Sequence, residues 1–128
     1  MRRARRPALT EAERLVLHGA GIEHFNAGRF LEAHDAWERI WRSPDPDPAD
    51  LFQGLIQVAV ALHHHRDRGR PDVCRRVLAR ARRRLAGRPG RELGLDLDRL
   101  RADLDRWESW LSGSGAGAPP PPPALRRA

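Results

Sequence analysis

Between Thr10 and Leu111 the apolar positions recur every three or four residues, and no stretch shows the period of two that marks a strand. Thr10 opens the first predicted helix. With Glu13 three residues later it forms a capping box, in which hydroxyl and carboxylate each take up an amide that the helix leaves unpartnered. Leu15, Ile22 and Phe25 share a face of this helix, with His18 among them. Asn26, Ala27 and Gly28 stop it, Gly28 as the left-handed turn residue, and a second helix is predicted from about Arg29 to Trp41. So short a turn predicts two helices packed antiparallel as a hairpin.

Pro44, Pro46 and Pro48 make the next segment a stiff loop, since proline lacks the amide a helix needs. Asp47 then reads as an N-cap with Pro48 in the first helical position. The third helix, about residues 48–68, is apolar on most sides and is expected to be central. Gly69 ends it and Pro71 opens a fourth, with Val73, Cys74, Val77, Leu78, Ala81 and Leu85 on one face and arginines on the other. After a break at residues 87–90, Leu93, Leu97, Leu100, Leu104, Trp107 and Leu111 form an apolar seam at alternating spacings of four and three. Each such leucine, if buried, contributes about 1.5–3 kcal/mol, which predicts a docked last helix.

The fold expected is all-α: a single compact bundle of about five helices with an antiparallel helical hairpin near the N-terminus. Residues 1–8 read as a mobile basic arm, 9–111 as the helical domain and 112–128 as a disordered Gly/Pro-rich tail. The five consecutive prolines of that tail fit an aromatic-lined groove on a partner, but a spacer is the preferred reading.

Charge changes this picture only locally. The net charge is +7, with no lysine, and the basicity is concentrated in residues 66–91 and in Arg2, Arg3, Arg5 and Arg6; the remainder is net acidic. Arg75, Arg76, Arg80, Arg82, Arg83 and Arg84 are therefore candidates for nucleic-acid contact. A solvated surface written in an arginine-rich composition is the competing and preferred explanation. The longest apolar run, residues 55–62, is interrupted by Gln57 and is far short of the roughly 18 residues of a membrane span. The N-terminal arginines precede no apolar segment, so no secretory signal is expected. A single cysteine excludes an intrachain disulfide and points to a reducing compartment, hence to the cytoplasm; Cys74 itself reads as core.

One polar constellation stands apart. At 100° per residue, His34 lies about 40° and Glu38 about 80° from Phe30, so the pair borders the core-facing side of the second helix. On the third, Gln53, Gln57, Val60 and His64 follow i, i+4, i+7, i+11, away from Leu51, Leu55, Val58 and Leu62. Buried polar groups need partners, because an unsatisfied one costs roughly 1–3 kcal/mol. Three readings stay open for His34, Glu38, Gln53, Gln57 and His64. They form a hydrogen-bond network fixing helix register, a pocket for a small ligand or reaction, or, through His34, Glu38 and His64, a divalent-metal site. His63, His64 and His65 point about 100° apart, so they cannot hold one ion together. No reaction is named by these residues.

The motif Phe25-Asn26-x-Gly28-x-Phe30-x-Glu32-Ala33-His34-x-x-x-Glu38-x-x-Trp41, followed by Phe52-Gln53-Gly54-Leu55-Ile56-Gln57 and His64, resembles the domain of unknown function 309 family, small all-helical bacterial proteins. The resemblance covers about residues 12–86 and implies a compact helical bundle, with no activity attached. It places signature polar residues at Asn26, Glu32, His34, Glu38, Gln53, Gln57 and His64. Asp35 departs from the glutamate usual after that histidine. Glu32, about 160° from His34 on the wheel, is expected to make a salt bridge or a cap, and Asn26 to be a turn residue.

Overall fold

The structure, a computed structural model, describes residues 8–113 and 117–127. The basic arm expected at the start lies, but for Ala8, outside the described residues. Helix α1 (Glu11–Asn26) begins with the capping box: Glu13 N donates to Thr10 Oγ1 over 3.0 Å and Thr10 N to Glu13 Oε1 over 2.9 Å. Its core face is His18, Gly21, Ile22 and Phe25. Leu15, expected on that face, is exposed, because it lies on a surface cleft of about 280 Å³ shared with Phe52 and Leu93. At Gly28 the chain takes φ 79° and turns back into α2 (Phe30–Trp41). The Arg66 guanidinium donates to the Gly28 carbonyl and lies over the Phe30 ring at 4.7 Å, closing that end of the hairpin.

α1 and α2 pack closely because Gly21 has no side chain: a methyl group there would stand 2.5 Å from Trp37 Cε2. Phe30, Ala33 and Trp37 of α2 are core, and so is Ile40, which the wheel did not single out. Trp41 is not: it is the last residue of α2, past Ile40 where the core ends, and it is exposed. The loop that follows is held by Arg14, which donates to the carbonyls of Asp45 and Asp47.

α3 (Ala49–Arg66) packs against both α2 and α4 (Pro71–Ala86), with Leu51, Phe52, Leu55, Val58, Ala59 and Leu62 buried. Its N-cap is Pro48 and not Asp47, since the Pro48 carbonyl takes the first helical bonds, from Leu51 N and Phe52 N. Gly54 does for α3 and α4 what Gly21 does for the first pair; a methyl group there would meet Leu85 Cδ2 at 2.6 Å.

The seam at the C-terminal end divides in two. Only Leu97 onward is helix α5 (Leu97–Ser112), capped by Asp96, whose carboxylate accepts from Arg99 N at 3.0 Å. Leu93 is instead an exposed turn residue between β1 (Arg91–Glu92) and β2 (Leu95–Asp96), a two-stranded antiparallel hairpin. Leu93 and Gly94 both have positive φ, 46° and 74°, the turn that matches strand twist; glycine adopts it freely and leucine does not.

The tail also differs from expectation. Among its described residues 117–127, Pro123 and Leu125 are buried, and Leu125 joins the core beside Leu95, Leu97 and Leu100. Five helices among the described residues packed on one core make an all-α bundle, as the periodicity predicts. None of them is long and apolar enough to cross a membrane.

Candidate functional site

On α2, His34 Nε2 stands 2.6 Å from Glu38 Oε2, one turn away, and its Nδ1 lies 3.0 Å from Asp35 Oδ1. Glu38 Oε1 takes Arg42 Nε at 2.6 Å. Each of these partners belongs to α2 or, as Arg42 does, caps its C-terminal end. The pair is half-buried, and the partners expected on α3 do not bond to it among the described residues.

Gln57 faces α4, where its Oε1 is buried without a hydrogen-bond partner among the described residues. Gln53 is half-buried and makes no side-chain hydrogen bond among the described residues. His64 is at the C-terminal end of α3, its ring 5.6 Å from that of His63. Burial, then His63, Arg68 and Arg70, lowers its pKa below the ordinary histidine value. A cationic neighbourhood is a poor one for a metal ion. No three His, Cys, Asp or Glu among the described residues are grouped to hold one, so the metal set His34, Glu38 and His64 is not assembled. No hydrogen bond joins His34 or Glu38 to Gln53, Gln57 or His64 among the described residues. Gln57 instead lines a groove with arginines of α4.

What does converge is a groove of about 540 Å³ between α3 and α4. Asp50 and Gln57 line it from α3, Arg80, Arg83 and Arg84 from α4, and Arg88 from the following turn. Helical spacing explains the selection: positions 76, 80, 83 and 84 share one face of α4 and positions 75 and 82 another. Arg84 Nη1 meets Asp50 Oδ1 at 3.1 Å, and Arg88 Nε meets Glu92 Oε1 at 2.8 Å; the Glu92 bond raises the Arg88 pKa. Arg80 and Arg83 are exposed and have no ion pair or hydrogen bond among the described residues. Arg75 and Arg82 turn to α5, toward Ser112 and Glu108 and toward Asp105 respectively. Arg76 is exposed and stands outside the groove lining. Of the six arginines, Arg80 and Arg84 line this groove, Arg83 lines both it and a cleft toward α5, and Arg75 and Arg82 pair with α5.

A family model described as Domain of unknown function (DUF309) matches residues 18–77. Over this segment the chain is similar to the DUF309 family. No curated protein matches it. The DUF309 segment holds Asn26, Glu32, His34, Asp35, Glu38, Gln53, Gln57 and His64, and it ends within α4, before Arg80 and Arg83. The groove thus has one wall in the DUF309 segment and the other beyond it.

Three residues of the segment take roles that spacing does not reveal. Glu32 is exposed in the first turn of α2 without an ion pair among the described residues; its negative charge suits the helix N-terminus. Asn26 is more than a turn residue: its Nδ2 donates to the Leu125 carbonyl at 2.9 Å and its Oδ1 accepts from Leu125 N at 2.8 Å. His18, which has no spacing partner, is buried between Trp37 and Leu93. The dipeptide Leu93-Gly94 was the available signal for the turn that meets it; nothing in the sequence marks a bond spanning Asn26 to Leu125.

Proposed function

We propose that this protein binds a phosphate-bearing ligand in the groove between α3 and α4. The observation that carries the reading is the pair Arg80 and Arg83, two guanidinium groups without partners among the described residues, over a glutamine whose buried amide oxygen also has none. Guanidinium presents a planar fork of donors that matches two oxygens of a phosphate at once. A half-turn of the Gln57 amide exchanges its acceptor for two N–H donors, adding a third contact from the floor. Arg84 and Arg88, tied to Asp50 and Glu92, would keep the walls positive without moving.

The size of the groove and the carboxylates among its neighbours support a compact ligand over a long nucleic-acid track, because Arg75 and Arg82 are already occupied by α5. Calorimetric titration with pyrophosphate and a nucleoside triphosphate tests this directly. The double variant Arg80→Ala/Arg83→Ala is expected to weaken binding at least about tenfold per guanidinium, with melting unchanged. Duplex and single-stranded nucleic acid form the second arm: binding there with a steep salt dependence, and none to the small anions, would favour the nucleic-acid reading. No binding to any of these at low salt would overturn both. The buried lone thiol, Cys74, supports placing the protein in a reducing compartment, the cytoplasm.

A further inference from the structure

The C-terminal segment is held in the manner of a bound peptide. The Trp107 indole N–H donates to the Pro121 carbonyl at 3.0 Å. Four residues on, the Asn26 amide grips both backbone groups of Leu125. Then Asp96 N donates to the Arg126 carbonyl at 2.9 Å, and Leu95 and Arg127 form an antiparallel bridge along the free edge of β2. All these bonds are to the segment's backbone. Its side-chain contribution is Pro123 and Leu125, both buried.

Each contact is a known element of peptide recognition. A proline run is already extended, so little entropy is lost on docking, and its carbonyls remain free for an indole donor. A sheet edge takes any strand of suitable shape through main-chain bonds, and an apolar pocket for one side chain supplies the choice. Beside the indole, His65 and Trp110 stack edge-on with Trp107, ring centroids 5.0 Å and 5.8 Å away, so the indole's position is fixed before any ligand arrives. Trp110 Nε1 is buried without a hydrogen-bond partner among the described residues, a second donor available at the same shelf.

We infer that Trp107, Asn26 and the outer edge of β2 form a peptide-binding groove whose resident ligand is the chain's own residues 119–127. The partner it fits is an extended proline-rich segment of another protein, with a leucine four residues after the anchored proline. The tail is the template for that description: Pro121 and Leu125 have this spacing. Tethering raises the local concentration of the resident ligand to the order of millimolar, so the tail is displaced only by a better ligand or by release of Leu125.

The test uses the full chain. Leu125→Asp places a charge in the apolar pocket and frees the groove. A labelled peptide of residues 117–127 is then titrated into wild type and variant by fluorescence anisotropy. The variant is expected to bind at least about tenfold tighter than wild type, and adding Asn26→Ala is expected to abolish that binding. A helical Leu125→Asp chain that ignores the peptide, or wild type binding equally well, would overturn the inference. Hydrogen exchange on wild type decides the matter even if the variant does not fold. The Leu125 amide is expected to exchange at least about 100-fold faster than that of Val58 in α3, because a docked ligand leaves without unfolding its receptor. Equal rates would make the tail an integral part of the core and end the proposal. A dimer formed by exchange of tails would instead assign the groove to a second copy and overturn the partner named here.

Discussion

The Trp37 indole N–H donates to His18 Nδ1 at 3.1 Å, inside the α1–α2 hairpin. That bond fixes the imidazole as an acceptor at Nδ1, so the proton is on Nε2, which donates to the Leu93 carbonyl at 3.0 Å. Burial lowers the His18 pKa; the bond to Leu93 opposes this and Arg127 adds to it. A histidine held neutral in the folded state makes the unfolded state the better proton acceptor. Stability is therefore complete above the ordinary histidine value of about 6.5 and declines as pH falls below it, until the lowered folded pKa is passed. His64 and His65, also lowered by burial, contribute in the same direction. Denaturant midpoints should fall between pH 7.5 and 5.5 in wild type, and less steeply in His18→Ala. At pH 7.5 that variant should lose about 2–4 kcal/mol, from the cavity and the orphaned indole N–H.

Gly21 is expected to tolerate no side chain. Gly21→Ala gains about 1 kcal/mol of helix propensity but drives a methyl group to 2.5 Å from a rigid indole. Overpacking of this kind costs about 1–3 kcal/mol, so the melting temperature should fall. A rise would mean that α1 and α2 can separate without loss.

Leu93 carries the one positive φ among the described residues other than glycine. Leu93→Asn places a residue that accepts the left-handed region in a turn that requires it. A gain of up to about 1 kcal/mol in chemical denaturation is expected, since the left-handed conformation costs leucine roughly 1–2 kcal/mol.

Cys74 is fully buried on α4, and burial, with the Glu108 charge second, pushes its thiol pKa up to about 12. Thiolate is the reactive species, so the folded protein should resist a disulfide reagent at neutral pH and react with one equivalent in concentrated guanidinium chloride. Rapid labelling of folded protein would show that α4 opens locally.

Glu38→Gln removes the charge that His34 and Arg42 share. Because both partners are local, His34 on α2 and Arg42 at its C-cap, and the cluster is partly solvated, the loss should be below about 1 kcal/mol. Melting should not rise with added zinc, nickel or manganese in wild type or variant. Stabilisation by one of these ions that Glu38→Gln abolishes would restore the metal reading of this edge.

Local chemistry made most of the helices legible. The Thr10 and Glu13 box, Gly28, Gly69 and Pro71 act on their neighbours in the chain, so their effects could be read without knowing what lies across the bundle. Most of the core stripes of α2 and α4 followed from periodicity for the same reason, Trp41 excepted. Which residues meet was another matter. Leu93 continued a helical spacing that Gly94 interrupts, and only the pairing of β1 with β2 decided between helix and turn. The direction of Gln57 depends on the rotation of α3 between two neighbours, which spacing along α3 leaves free. His18 and Asn26 acquire their roles from Trp37, Leu93 and Leu125, each on another element. The sequence by itself determined most of the helix starts and stops and much of the apolar faces, because those depend on interactions a few residues long. The tertiary structure alone decided that the arginines divide between a groove and α5, and that the proline tail docks on its own domain. Those outcomes depend on contacts between distant segments, whose geometry is set only when the helices pack.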